Sequence, residues 1–191
     1  MEMYYNYLFD ISLILSLVFV FMWHKHFDVH FTLIFAFIPI ANITYMMLGY
    51  ADSLEELIMG IKVSYIGGCY LTLFIMMCVF DRCKVRLRRW MRITLMLITA
   101  VIYATVLTIG KYPIFYKSVS FEKVDGINVL HKEYGPMHTV FMIMVGFLII
   151  SSTVVVIYTL NKKKDVSKKT IGLVFMPEIV CAFSFFLGRR I

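Results

Sequence analysis

The chain has 191 residues, is 61% hydrophobic and carries a formal net charge of +7, with a mean hydropathy of +0.82. Soluble domains hold only about 45–50% apolar residues, so a chain of this length has more apolar surface than one aqueous core hides, and lipid must solvate most of it. The charges cluster between apolar runs, which ties the basic excess to topology and excludes nucleic acid as its partner.

The N-terminal stretch MEMYYNYLFD has no basic leader and no small-residue cleavage site, so the run that follows is a retained helix. Six runs approach the ~20 residues that a span requires. They are Tyr7 to Trp23, Phe31 to Tyr50, Ile58 to Phe80, Ile93 to Gly110, Met137 to Leu160 and Ile171 to Leu187. The expected fold is an all-α, polytopic membrane bundle.

Lys and Arg in short connections set the orientation. The loop DRCKVRLRRWMR after the third run carries six of them, and NKKKDVSKKT after the fifth carries five. Both belong on the cytoplasmic side. The acidic ADSLEEL connection and the N-terminus then fall outside. So does the polar stretch from 118 to 133, between the fourth and fifth runs. There, β-prone flanks surround Asp125-Gly126, a two-residue hairpin signal, and Gly135-Pro136 starts the next helix. Six spans would also leave Arg189 and Arg190 outside, against the rule, so the expectation is a single sensor domain over 1–191, truncated before a seventh span.

Several polar residues interrupt the spans. Lys62 lies about one turn inside the third, where it either snorkels or joins an outward-facing pocket. The same run has Gly60, Ser64 and Gly68 at four-residue spacing, a face on which a neighbouring helix packs closely. Glu178 sits mid-depth in the sixth run beside Pro177, where it must be protonated, paired or wet, and Lys62 is one partner for it. Asn42 and Tyr45 share a stripe with Pro39 and Gly49 in the second run. Tyr103 lies in the fourth, and His138 opens the fifth. Most of these fall in the outer half of the membrane, which suggests a cavity open to the outside. Interfacial tyrosines and interhelical hydrogen bonds are the plainer alternative. The candidate ligand-binding set is Asn42, Tyr45, Lys62, Tyr65, Tyr103, His138 and Glu178.

The stretch HKHFDVH, with His24, His26, Asp28 and His30, invites a metal reading, but its alternate spacing suits no helix, and a solvated inner loop is expected. The cysteines, Cys69, Cys78, Cys83 and Cys181, sit in apolar runs or in a basic loop, so no structural disulfide is expected. No nucleophile–base pair, phosphate loop or paired carboxylates appear, and neither catalysis nor a cofactor is expected.

Three stretches resemble one family. They are KVSYIGGCYLTLFIMMCVFDRCK, the outer YPIFYKSVSFEKVDGINVLHKEYGPMH, and the proline within the sixth run. In order and spacing they resemble the N-terminal seven-transmembrane region of bacterial sensor histidine kinases and GGDEF diguanylate cyclases. The resemblance implies a sensory input domain of the bacterial inner membrane. It would sense an unidentified small-molecule or lipid-like ligand and relay to a cytoplasmic kinase or cyclase output. Membrane lipids would be further partners, and a homodimer stays open. The chain departs from the family pattern in lacking the seventh span and an output domain. The alternative reading is a small transporter, with Lys62 and Glu178 as coupling charges. Against it stand the missing inverted repeat and an inner half poor in polar groups. A scaffold that only anchors partners is the third.

Overall fold

The computed structural model describes residues 7, 10–11, 13–18, 29–124, 127–162, 166–168, 171–172, 175–176 and 179. Among these the chain order is α1 (Val29–Tyr50), α2 (Leu54–Ile66), a π-helical segment (Gly67–Leu71), α3 (Thr72–Arg82), α4 (Arg89–Val106), strands β1 (Tyr116–Val124) and β2 (Ile127–Tyr134), and α5 (Pro136–Lys162). Helix α2, the π segment and α3 run on as one rod. This rod, α4 and α5 are three helices long and apolar enough to cross a membrane.

The rod begins four residues before the expected start at Ile58 because its N-terminus is capped. Ser53 accepts from the Glu56 amide at 3.2 Å, and the Glu56 carboxylate accepts from the Asp52 amide at 2.8 Å. Two amides that would otherwise lack acceptors are thereby satisfied, in the manner of a capping box. The fourth expected run is displaced by a turn. Helix α4 takes in the basic residues from Arg89 and ends at Val106, after which residues 107–111 form turns.

The rod lies at the centre. Over half of its apolar window is buried (56%), against 17% for α4 and 28% for α5. Every residue from Leu73 to Phe80 is buried. A helix apolar and buried on all sides is the element against which the others pack. Helix α1 lies along it from α2 to α3, and α4 and α5 both touch it. In contrast, α5 turns Ile143, Phe147, Ile150, Val154 and Ile157 outward, a stripe at spacings of four and three. In water such a stripe would demand a partner; in a bilayer the acyl chains are its solvent.

Pro39 has no amide hydrogen to give to the Phe35 carbonyl one turn earlier in α1. The Ser16 hydroxyl, from the helical residues 13–18, donates to that carbonyl at 2.9 Å. A backbone oxygen released inside lipid needs such a substitute. The proline of the second run is thus joined to a residue of the first.

The hairpin forms around the expected turn. Val124 pairs with Ile127, which leaves Asp125-Gly126 as a two-residue connection outside the described residues. Its strands run further than expected, back to Tyr116 and on to Tyr134. A register shift between Tyr116 and Ser118 sets the extra residue, Lys117, in a bulge. Without it, strict alternation from the inward Phe121 and Val119 would turn Lys117 inward. With it, Lys117 and Ser118 are both exposed and Tyr116 is buried. A bulge re-aims one side chain in this way. At the foot of the hairpin the Gly135 amide donates to Phe115 O at 2.9 Å and the Met137 amide to Ile114 O at 3.2 Å.

Gly135 explains the Gly-Pro signature. A β-carbon there would lie 2.5 Å from the Ile114 carbonyl oxygen and 3.0 Å from that of Phe115. These are backbone atoms and have no rotamer by which to withdraw. Replacing Gly135 with Ala is expected to destabilise the fold by about 1–3 kcal/mol, the usual cost of overpacking. Thermal unfolding in detergent should show a lowered midpoint. An unchanged midpoint would refute the tight closure.

Candidate functional site

Five residues apart on the rod, Tyr65 and Tyr70 mark two different surroundings. Between them the helix widens into the π segment GGCYL. Two glycines contribute little α-helical preference there. The Phe141 ring of α5 packs against this turn: a β-carbon at Gly68 would stand 3.5 Å from it, in ordinary contact. Thr72 closes the segment by donating its hydroxyl to the Gly68 carbonyl at 3.1 Å. Single π turns inside α-helices occur frequently at functional sites.

On the Tyr65 side lies the root of the hairpin. The phenol oxygens of Tyr65 and Tyr116 are 2.6 Å apart and share a hydrogen bond. The Tyr65 ring meets Phe115 at 4.8 Å and Phe141 at 5.1 Å, both edge-on. His138, 6% exposed, stacks on Tyr134 at 4.1 Å and meets Phe115 edge-on at 5.5 Å. The rings therefore join the rod, both strands and α5. Phe115, Tyr116, His138 and Phe141 are buried, so this is a packed anchor built around a short hydroxyl contact. Burial lifts the Tyr116 phenol to about 12; the bond to Tyr65 opposes the rise and neighbouring Tyr134 adds to it.

The Tyr70 side is a half-buried face between α1 and α4, the groove. The Tyr70 ring is 5.9 Å from Phe37 of α1 and 5.9 Å from Tyr103 of α4, and it stacks along Phe74 at 6.3 Å. One half-buried ring thus bridges two helices across the rod. The Tyr103 hydroxyl reaches the Lys62 carbonyl at 3.4 Å, two turns of the rod before Tyr70. Lys62 is itself half-buried, and no carboxylate among the described residues forms an ion pair with it. Aromatic faces and a phenol are a set that holds an apolar ligand with a polar end.

The residues singled out from sequence divide accordingly. Tyr65 and His138 meet at the hairpin root. Lys62 and Tyr103 meet in the groove. Asn42 and Tyr45 lie on α1, one to two turns beyond Phe37, with their side chains outside the description. Glu178 and Pro177 lie outside the described residues, and with them the proposed pairing to Lys62; so do residues 24–28 of the histidine-rich stretch and Cys181. Cys69, Cys78 and Cys83 are buried and form no disulfide. No cluster of three or more metal-ligating side chains occurs among the described residues. Sequence reasoning missed Tyr70, Phe37, Tyr116 and Tyr134. Tyr70 was legible only through the Gly67-Gly68 pair that weakens the helix beside it, and Tyr116 only through a bulge that no periodicity announces.

Compared with known proteins, the chain matches a family model described as the N-terminal 7TM region of histidine kinase, over residues 7–187. No curated protein and no solved structure matches it.

The Tyr65–Tyr116 bond is expected to tie the hairpin to the bundle. Tyr65→Phe and Tyr116→Phe in a double-mutant cycle should show a coupling of about 0.5–1.5 kcal/mol in unfolding free energy. Because folding raises the Tyr116 pKa above its ordinary 10.0, the associated stability is intact below pH 10 and is lost as pH rises towards about 12. The Tyr116→Phe variant should lose less stability than the parent across that window. Equal losses would show that Tyr116 is not the titrating group.

Proposed function

Because the chain belongs to the family of N-terminal seven-transmembrane regions of histidine kinases, we propose that it is a ligand-receiving input domain that relays its state to a cytoplasmic kinase. The family match over residues 7–187 is the observation that carries this reading. In it, residues 1–191 form one sensor domain of the bacterial inner membrane, with six spans and an outer N-terminus. The basic connections lie inside and the hairpin outside. Support for the orientation comes from the six Lys and Arg residues between the third and fourth runs, set against the acidic Asp52 to Glu56 connection at the other end of the rod.

The ligand site in this reading is the groove. A small-molecule or lipid-like ligand rests on Tyr70 and Tyr103 with its polar end towards Lys62, and Asn42 and Tyr45 complete the α1 wall. Tyr65 and His138 hold the hairpin over the bundle, and Glu178 belongs to the set by its depth in the sixth run. A ligand moves the balance between two bundle states only through unequal affinity for them. Turning a 1:99 mixture into 99:1 takes about a 10⁴-fold preference. A ring that bridges α1 and α4 is placed to supply such a preference, since any relative shift of those helices changes what it touches.

Two measurements test this. With the native cysteines replaced, Asn128→Cys should react with a membrane-impermeant maleimide in intact cells; reaction only from the cytosolic face would reverse the orientation. With the chain joined to its kinase output in membrane vesicles, Tyr70→Ala and Lys62→Gln should each change basal autophosphorylation by about fivefold, as a shift of roughly 1 kcal/mol between states requires. Ile143→Ala and Ile150→Ala, on the outward stripe of α5, should leave it unchanged. If both pairs behave alike, the groove is not the input site.

A further inference from the structure

The connection between α3 and α4 is built to present arginines. Helix α3 ends with the Val85 amide donating to Phe80 O at 2.9 Å and the Lys84 amide to Asp81 O at 3.1 Å. This is the six-to-one and five-to-two pattern of a Schellman cap. The residue in its left-handed position is ordinarily glycine, yet here it is Lys84, with φ 52°. The chain then continues without regular structure to Arg88, itself extended. Its side chains alternate: Val85 and Leu87 pack against the bundle, while Lys84, Arg86 and Arg88 are exposed. Arg89 and Trp90 follow on the surface, Trp90 being 60% exposed.

The acid within this segment is already engaged. Asp81 holds Arg92 at 2.7 Å. Arg86, Arg88 and Arg89 form no ion pair among the described residues. Three exposed arginines therefore fall within four positions, interleaved with Leu87 and preceded by Val85, both packed on the bundle, beside an exposed indole at the start of an apolar helix. An indole is favoured at the headgroup level of a bilayer, and a guanidinium group grips phosphate through paired donors.

We propose that this edge is a binding site for the phosphate headgroups of anionic phospholipids. Arg86, Arg88 and Arg89 provide the contacts, and Trp90 fixes the depth. The site lies away from the groove and does not depend on it. Its location at a helix end makes it independent of which leaflet it faces.

The test uses a Trp23→Phe variant of the full chain, which leaves Trp90 as the only tryptophan. The protein is placed in bilayers of phosphatidylcholine with a small fixed fraction of phosphatidylglycerol in both leaflets. Bromines, which quench indole on contact, are carried by one lipid or the other. Quenching should report phosphatidylglycerol enriched around Trp90 by about fivefold or more over its bulk fraction, with the enrichment falling as salt is raised. Arg→Gln at 86, 88 and 89 together should return it to the bulk value, and Arg→Lys at the same positions should keep most of it. Quenching at the bulk fraction in the Trp23→Phe protein would overturn the proposal. So would enrichment that survives the glutamine substitutions. An edge that instead docks an acidic protein surface gives the first of these results.

Discussion

Burial of the rod on all sides between Leu73 and Phe80 is the constraint from which the other features follow. A helix that meets neighbours all round cannot spare a face for polar groups, and its interior run from Leu73 to Phe80 carries none. Polar groups therefore lie towards the rod's two ends: Lys62, Tyr65 and Tyr70 on the N-terminal side, and Asp81, paired with Arg92, at the C-terminal end. The π segment falls within the first of these. It accommodates Phe141 against Gly68 and still allows Tyr70 to reach both α1 and α4. Packing below and adaptable polarity above are thus two consequences of one buried helix.

The bilayer changes which contacts stabilise this arrangement. Lipid tails are as apolar as the stripe of Ile143, Phe147 and Ile150, so burying such residues against another helix gains little over leaving them in lipid. Close packing and internal hydrogen bonds carry more of the specificity. The examples are dispersed: Ser16 on the carbonyl freed by Pro39, Thr99 donating to the Met144 sulfur at 3.6 Å, and the tyrosine pair at the hairpin root. Each joins two elements that apolar burial alone would leave free to slide.

The sequence was informative where a single physical rule dominates. Apolar run length located α1, the rod and α5, because the cost of unsatisfied backbone in lipid enforces long helices. Asp125-Gly126 located the hairpin, because few residues accept its turn geometry. The fourth run was displaced because hydropathy weighs Arg89 and Arg92 as loop residues. Helical geometry instead keeps Arg92 eleven residues from Asp81 in sequence and 2.7 Å from it in space. The site was half legible. Lys62, Tyr65, Tyr103 and His138 stood out as polar residues in apolar runs, but their division into a groove and a root did not. That division rests on Phe115 and Phe141, apolar residues that a polarity criterion passes over. Tyr70 looked like one more aromatic in a greasy helix.

The hairpin illustrates why the root must be as strongly built as it is. Two strands alone are marginal in water, and this pair has only weak help from its exposed face, where Lys117 and Glu133 are 3.7 Å apart and His131 and Glu122 3.9 Å. Its order has to come from the bundle. Three features deliver it within a few residues: the bulge that turns Tyr116 inward, the hydroxyl contact to Tyr65, and the closure of Gly135 on the Ile114 carbonyl. All three converge where α5 begins, so the start of α5 and the strands cannot move independently. The hairpin touches α5 directly and the rod through Tyr65. From Tyr65 to the π segment is two residues. The hairpin root and the groove are thus neighbours along the same helix, and the π segment is what the two share.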